Sequence, residues 1–282
     1  MLAPAAWADP VLPPSLGVQH LATSSRQLAW EQRHRWASRV TRRRVQGVDI
    51  SVAHFKAAEK EVAAIFDELA DDAYGLGSVA APAAGAAVDI GANHGIVSVL
   101  LAKLFGLRVL AVEPVPSTYR YLLWTLRLNA VLTEVWAVNV AASSAKRYIN
   151  ISHSDRWPGR SRSGLATPDD LEGAQEGTEH AFRVPAVSLA KLARWALDWS
   201  PPRAELEVLK VDCEGCEFDV LATVGARSLV GQAQVFIGEL HAKWSAPTVG
   251  RETFLAVARE MCRRPFHGKV AGCQGGWLRL EE

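Results

Sequence analysis

No stretch of this 282-residue chain approaches the roughly 20 uninterrupted apolar residues that a membrane-crossing helix needs; Lys103 and Arg108 break the longest candidate. A soluble protein without a transmembrane segment is expected. Cysteine is sparse: Cys213, Cys216, Cys262 and Cys273 do not amount to the disulfide framework of a small secreted domain, so a reducing, cytoplasmic compartment is the expectation. Net charge is also nearly absent, at a formal +1, which argues against a general polyanion binder. The balance hides an asymmetry. Through residue 48, Arg26, Arg33, Arg35, Arg39, Arg42, Arg43 and Arg44 face only Asp9 and Glu31. Such a segment reads as a flexible tail, a basic lead-in helix or an organellar transit peptide. No internal repeat is present.

A third glycine is missing too, from the most informative turn of the chain. In Ala87-Val88-Asp89-Ile90-Gly91-Ala92-Asn93-His94-Gly95, an apolar run reaches an acid and then a glycine turn. That pattern predicts a buried strand feeding a helix, with glycines that let a ligand approach the backbone. The spacing Gly91-x-x-x-Gly95 departs from Gly-x-Gly-x-x-Gly, the turn that packs a pyrophosphate on a helix N-terminus. Glu113 follows Asp89 by 24 positions, at the expected tip of a second strand, where a ribose hydroxyl pair would need an acceptor. A nucleoside cofactor without phosphate, S-adenosylmethionine, therefore fits better than NAD. The plainer alternatives are a structural strand-to-helix turn and, for Glu113, an acid at the helix start marked by Pro114, Pro116 and Ser117.

Alternating segments along the chain predict a single α/β domain over residues 46–282, preceded by a basic, partly disordered extension over 1–45. Residues 1 to about 25 show no sustained period, and a helix is expected near Gln27 to Val40. A short strand at Gly47–Val52 and a helix over Phe55–Tyr74 lead through an Ala- and Gly-rich linker to the glycine turn. Strands are then expected at 87–90, 108–112, 135–140, 207–211 and 234–239, with helices at 94–105, 117–128, 189–197, 218–228 and 252–262. Residues 152–179, with Asp155, Arg156, Trp157, Arg160 and Arg162, read as an irregular substrate loop. Two last strands, Lys269–Ala271 and Trp277–Leu280, are expected to close the sheet as a hairpin. The fold class is thus a doubly wound, Rossmann-like sheet, mostly parallel with an antiparallel C-terminal hairpin.

A second constellation, Asp212-Cys213-Glu214-Gly215-Cys216-Glu217, follows the apolar strand Val208-Leu209-Lys210-Val211. Three acids at the carboxyl end of a strand face the ligand crevice of an open sheet, which suits a general base or a divalent metal site. Alternatively, Glu217 caps the next helix and Glu214 is solvated. Cys213-x-x-Cys216 formally invites zinc or redox chemistry. It has no second Cys-x-x-Cys at finger spacing, so no role is assigned to it.

The sequence resembles the FkbM-type S-adenosylmethionine-dependent methyltransferases. The likeness rests on Val88-Asp89-Ile90-Gly91-Ala92-Asn93-His94-Gly95, Glu113-Pro114, Leu126 to Asn129, Asn139-Val140-Ala141, Leu209 to Glu217 and Gly238-Glu239-Leu240-His241, and runs from about Gly47 to the C-terminus. It implies a class I methyltransferase fold and cofactor contacts from Asp89, Gly91, Asn93, Gly95, Glu113, Asn139 and Ala141. Asp212, Glu214 and Glu217 would stand on the active-site side, where their carboxylates suit a divalent cation. Its usual acceptor is an oxygen of a carbohydrate or small metabolite. Where the family often has Thr-Leu-Asp, this chain has Ser188-Leu189-Ala190.

An alcohol acceptor must lose a proton as it attacks. His241, whose ordinary pKa lies near neutrality, is the first candidate base, with Asp212 and Glu239 as alternatives. Rival readings are an RNA-directed methyltransferase drawing on the basic N-terminus, which lacks an Asn-Pro-Pro-Tyr motif, and a non-catalytic cofactor-binding protein of the same fold. A nicotinamide oxidoreductase is disfavoured by the turn. The residues do not indicate the oligomeric state.

Overall fold

The computed structural model describes residues 25–72, 74, 76, 85–144, 148–154, 157–162, 179–221, 223–241 and 278–281. Helix α1 (Ser25–His34) leads into a hairpin of β1 (Ser38–Val45) and β2 (Val48–Phe55), then α2 (Glu59–Ala70). Next alternate β3 (Gly85–Ile90), α3 (Ile96–Phe105), β4 (Arg108–Val112), α4 (Pro116–Leu128) and β5 (Val135–Val138). Strands β6 (Ala141–Ala142), β7 (Tyr148–Ser154), β8 (Trp157–Arg162) and β9 (Glu179–Val187) follow. The chain resumes with α5 (Leu189–Trp199), β10 (Glu205–Val211), α6 (Glu217–Leu221), α7 (Val224–Gln232), β11 (Val235–His241) and β12 (Leu278–Glu281). The expected N-terminal tail, the helix at 252–262 and the strand at 269–271 lie outside the described residues.

Six strands form one sheet in the order β12-β11-β10-β3-β4-β5, with every pairing parallel. All six residues of β3 are buried, as a central parallel strand covered by helices on both faces must be. From β3 the chain winds through β4 to β5 on one side and later through β10 to β11 on the other. The strand order reverses between β3 and β10, and sheets of this kind take their ligands outside the carboxyl ends of the strands at such a point. The expected antiparallel ending is corrected: Leu278–Glu281 pairs parallel to β11, Gly238 opposite Leu278 and His241 opposite Glu281. A parallel neighbour needs a long crossover, and residues 242–277 give it room. The helix expected over 218–228 is two helices, because the Thr223 side chain accepts a bond from the Ala226 amide and starts a new one.

A second sheet has the order β6-β9-β7-β8, with β7 antiparallel to both β9 and β8. The described parts of the expected irregular insertion, residues 152–154, 157–162 and 179, are therefore strand. Its apolar residues alternate: Ile149 and Ile151 on β7, Val184 and Ala186 on β9, packed with Val115 and Ala141. Asp155 and Arg156 lie outside the described residues.

At the other end, β1 begins at Ser38, so the expected helix to Val40 stops early. Gln46 and Gly47 both adopt positive φ, 47° and 83°, which is the two-residue turn that matches the twist of a hairpin. The hairpin docks on α4. Thr125 Oγ1 accepts the Ala53 amide at 3.0 Å, and the Asn129 side chain both accepts from and donates to the Ser51 backbone. From α1, Gln27 exchanges bonds with the Arg120 carbonyl and guanidinium, and Glu31 pairs with Arg127. Residues 25–45 are thus built onto the α/β core, and the boundary drawn at residue 45 falls at the hairpin turn.

Candidate functional site

The crevice between β3 and β10 is shaped first by backbone crossing. A Cβ on Gly91 (φ 77°) would stand 1.7 Å from the Asp212 carbonyl oxygen, and one on Gly95 (φ 88°) would stand 2.5 Å from Leu122 Cδ1. Both positions are crowded by neighbouring protein and stand at left-handed φ, which by itself favours glycine there. The amides of Gly91 and Ala92 both donate to the Val112 carbonyl at 3.0 Å. The turn therefore offers no open pair of amides to a phosphate.

Asp89, expected as a cofactor contact, is fully buried beneath the turn: one oxygen accepts from Ser98 Oγ at 2.6 Å and the other faces Lys210 Nζ at 3.1 Å. Lys210 is the residue that the sequence reading left without a role. Its ammonium also lies 3.5 Å from Asp212 and donates to the Gly91 carbonyl at 3.1 Å, so it ties the turn after β3 to the loop after β10. Burial disfavours this ammonium, yet Asp89 and Asp212 hold its pKa above the ordinary lysine value. A lone lysine inside Val208-Leu209-Lys210-Val211 was the available signal, because a cation in a doubly covered strand must find carboxylates.

Glu113 stands at the carboxyl end of β4, as expected, and is buried. One oxygen accepts the Asn93 amide at 2.9 Å and the other the Val115 amide at 2.8 Å. Each carboxylate oxygen can take two bonds, so acceptor capacity remains. Burial pushes the Glu113 carboxyl up to about 7, against the pull of those two amides and of Lys210. Asn93 sits at φ 50° and donates its side-chain amide to Glu61 of α2 at 2.9 Å. Its Oδ1 is buried without a hydrogen-bond partner. Asn139 clamps the strand tip, donating to the carbonyls of Glu113 and Pro114. Ala141, expected beside the cofactor, is instead buried in the core of the second sheet.

The loop after β10 is closed by a disulfide between Cys213 and Cys216, the pair left without a role by the sequence. Glu217 is fully buried and accepts the amides of Cys213 and Gly215 at 2.9 and 2.8 Å, which makes it the loop's internal brace. Asp212 is partly exposed and turned to Lys210. Glu214 occupies a left-handed corner at φ 54°. The expected metal set of Asp212, Glu214 and Glu217 is therefore not assembled, and among the described residues no group of three His, Cys, Asp or Glu side chains is placed to hold an ion. Glu239 and His241 lie in the last three residues of β11, whose Gly238 is in register with Val211. Ser188, in place of the family's threonine, caps α5, and Ala190 is exposed at that helix start.

The residues fit a ligand with hydroxyl and ammonium donors and no phosphate: Glu113 retains acceptor lobes, Asn93 Oδ1 lacks a donor, and the turn amides are spent. No helix among the described residues is long and apolar enough to cross a membrane. Residues 89–267 match the family model described as the methyltransferase FkbM domain. Methyltransferase sdnD of Sordaria araneosa is 31% identical over 154 residues, which cover 49% of this chain and 59% of that protein. The match thus spans less than two thirds of that relative. A solved structure of a candidate transferase from Pyrococcus horikoshii is similar at 22% identity over 36% of each chain, with a TM-score of 0.26.

Proposed function

Because the chain belongs to the FkbM methyltransferase family, we propose that it moves a methyl group from S-adenosylmethionine to an oxygen of a carbohydrate or small metabolite. The observation that carries this reading is the sign and type of the groups around the turn. Asp89, Glu113, Asp212 and Glu61 bring four carboxyls, Lys210 offsets part of their charge, and both leading amides of the turn are occupied. A cationic, phosphate-free cofactor is favoured there and a dinucleotide is disfavoured. When bound, the cofactor supplies an electrophilic methyl group.

Methyl transfer is an in-line displacement, so the chain's own work is to hold donor and acceptor at attack distance and to keep water out. Glu113 is assigned the two sugar hydroxyls and Asn93 a further donor of the cofactor. Lys210, bonded to both flanking loops, keeps them at fixed separation. His241 at the end of β11 is assigned the proton of the acceptor hydroxyl, with Asp212 and Glu239 as the alternative bases.

Calorimetry with S-adenosylmethionine tests the reading. Binding should strengthen as pH rises through about 7, because Glu113 must give up its proton before it can accept both hydroxyls. Glu113→Ala should weaken binding by about 1 to 3 kcal/mol. Binding of NADH in place of S-adenosylmethionine, or of neither, would overturn the assignment.

A further inference from the structure

We propose that Glu61, on a helix that precedes the family-matched segment, is a positioning residue of the cofactor site that acts by fixing the side-chain amide of Asn93; this rests on the functional reading above. Glu61 lies in the first turn of α2, where an acid is ordinarily explained by the helix dipole alone. Its Oε1 instead reaches across to the turn after β3 and accepts Asn93 Nδ2 at 2.9 Å. A carboxylate only accepts hydrogen bonds, so this contact decides which way the amide faces: nitrogen to Glu61, oxygen away from it.

The consequence falls on Asn93 Oδ1. That oxygen is buried and has no hydrogen-bond partner, an arrangement that proteins rarely leave without a donor. The same residue donates its main-chain amide to Glu113 Oε2 at 2.9 Å, so the vacant acceptor belongs to the residue that touches the expected ribose acceptor. Asn93 is gripped on two sides, by Glu61 through its side chain and by Glu113 through its backbone. A left-handed backbone at φ 50° adds a cost that these two bonds offset. With the amide so fixed, Oδ1 is offered to an N–H or O–H donor of the cofactor, either a ribose hydroxyl or the ammonium of its amino-acid end. The family match begins at residue 89, so α2 contributes a part of the site from outside it.

The test compares Glu61→Met with Glu61→Gln, since the glutamine oxygen can still accept Asn93 Nδ2 and methionine cannot. Calorimetry with S-adenosylmethionine should show Glu61→Met binding about tenfold more weakly than the parent and Glu61→Gln within about threefold of it, at equal melting temperature. In the ligand-free protein, the Asn93 side-chain amide resonance, identified by its loss in Asn93→Ala, should shift in Glu61→Met and hold in Glu61→Gln. Repeating the titration with 5′-methylthioadenosine separates the donors: a retained deficit in Glu61→Met places the donor on the sugar, and a vanished one places it on the amino-acid end. Equal binding by parent and Glu61→Met, or a glutamine variant as weak as the methionine one, overturns the inference while leaving the functional reading standing. A parent chain that binds no S-adenosylmethionine overturns both.

Discussion

Two loops meet at the carboxyl ends of β3 and β10, and they are held in shape by opposite means. The turn over Gly91–Gly95 has its form set mainly from outside: the Asp212 carbonyl and Leu122 leave no room for a Cβ at Gly91 and Gly95, Val112 takes the amides of Gly91 and Ala92, and Glu113 takes that of Asn93. The loop over Asp212–Cys216 is shaped from within, by its own disulfide and by Glu217 folded back onto two of its amides. Lys210 stands between them and bonds to both. Motif residues that look alike in a sequence therefore do different work. A glycine marks where another part of the chain passes, and an acid serves its own backbone as readily as a substrate.

The sharpest way to break this comparison is Gly91→Ala. An added methyl would overlap a carbonyl that belongs to the neighbouring strand end, at a left-handed φ, so a loss above about 5 kcal/mol and no folded fraction are expected. A soluble variant with parental melting behaviour would show that the two backbones separate easily. Lys210→Met comes next: it strands Asp89, fully buried, beside Asp212, and urea denaturation should register a loss of about 3 to 5 kcal/mol.

Glu113 gives a smaller effect with a distinctive pH signature. Its folded-state pKa of about 7 lies above the ordinary 4.5, so the folded chain keeps the proton longer than the unfolded one. The associated stability is complete below 4.5 and is lost as pH rises through about 7, amounting to at most about 3 kcal/mol. Unfolding free energies of Glu113→Gln should be flatter than the parent's across that window; an equal slope would assign it to another group. The smallest effect belongs to the disulfide. It closes one of the shortest loops a disulfide can, so replacing Cys213 and Cys216 together by serine should cost about 1 to 2 kcal/mol in a melting experiment, much less than losing Lys210. A larger loss would mean that the loop's internal brace is covalent first and Glu217 second.

The central parallel sheet was legible in the chain because its strands are apolar on both faces and alternate with helices of regular length, as in Ala87–Ile90 and Arg108–Val112. The second sheet was not, because residues 152–179 are rich in Gly, Ser and charged residues and show no sustained apolar period, which reads as loop. Of the N-terminal hairpin, the strand expected at Gly47–Val52 overlaps β2, whereas the helix expected to Val40 runs into β1; the signal that separates them is the Gln46-Gly47 turn. At the site, Glu113 was placed by spacing alone. The roles of Glu217 and Asp89 were not, since capping an amide and accepting a substrate proton call for the same side chain.

By itself the sequence determined the class of fold, a mostly parallel α/β sheet with its helices alternating between the strands, which follows from hydrophobic period. Only the tertiary structure decided which acids face inward. Carboxylates are committed by the nearest buried donor or cation, and Lys210 for Asp89, two backbone amides for Glu217 and Asn93 for Glu61 come together only after the chain has folded.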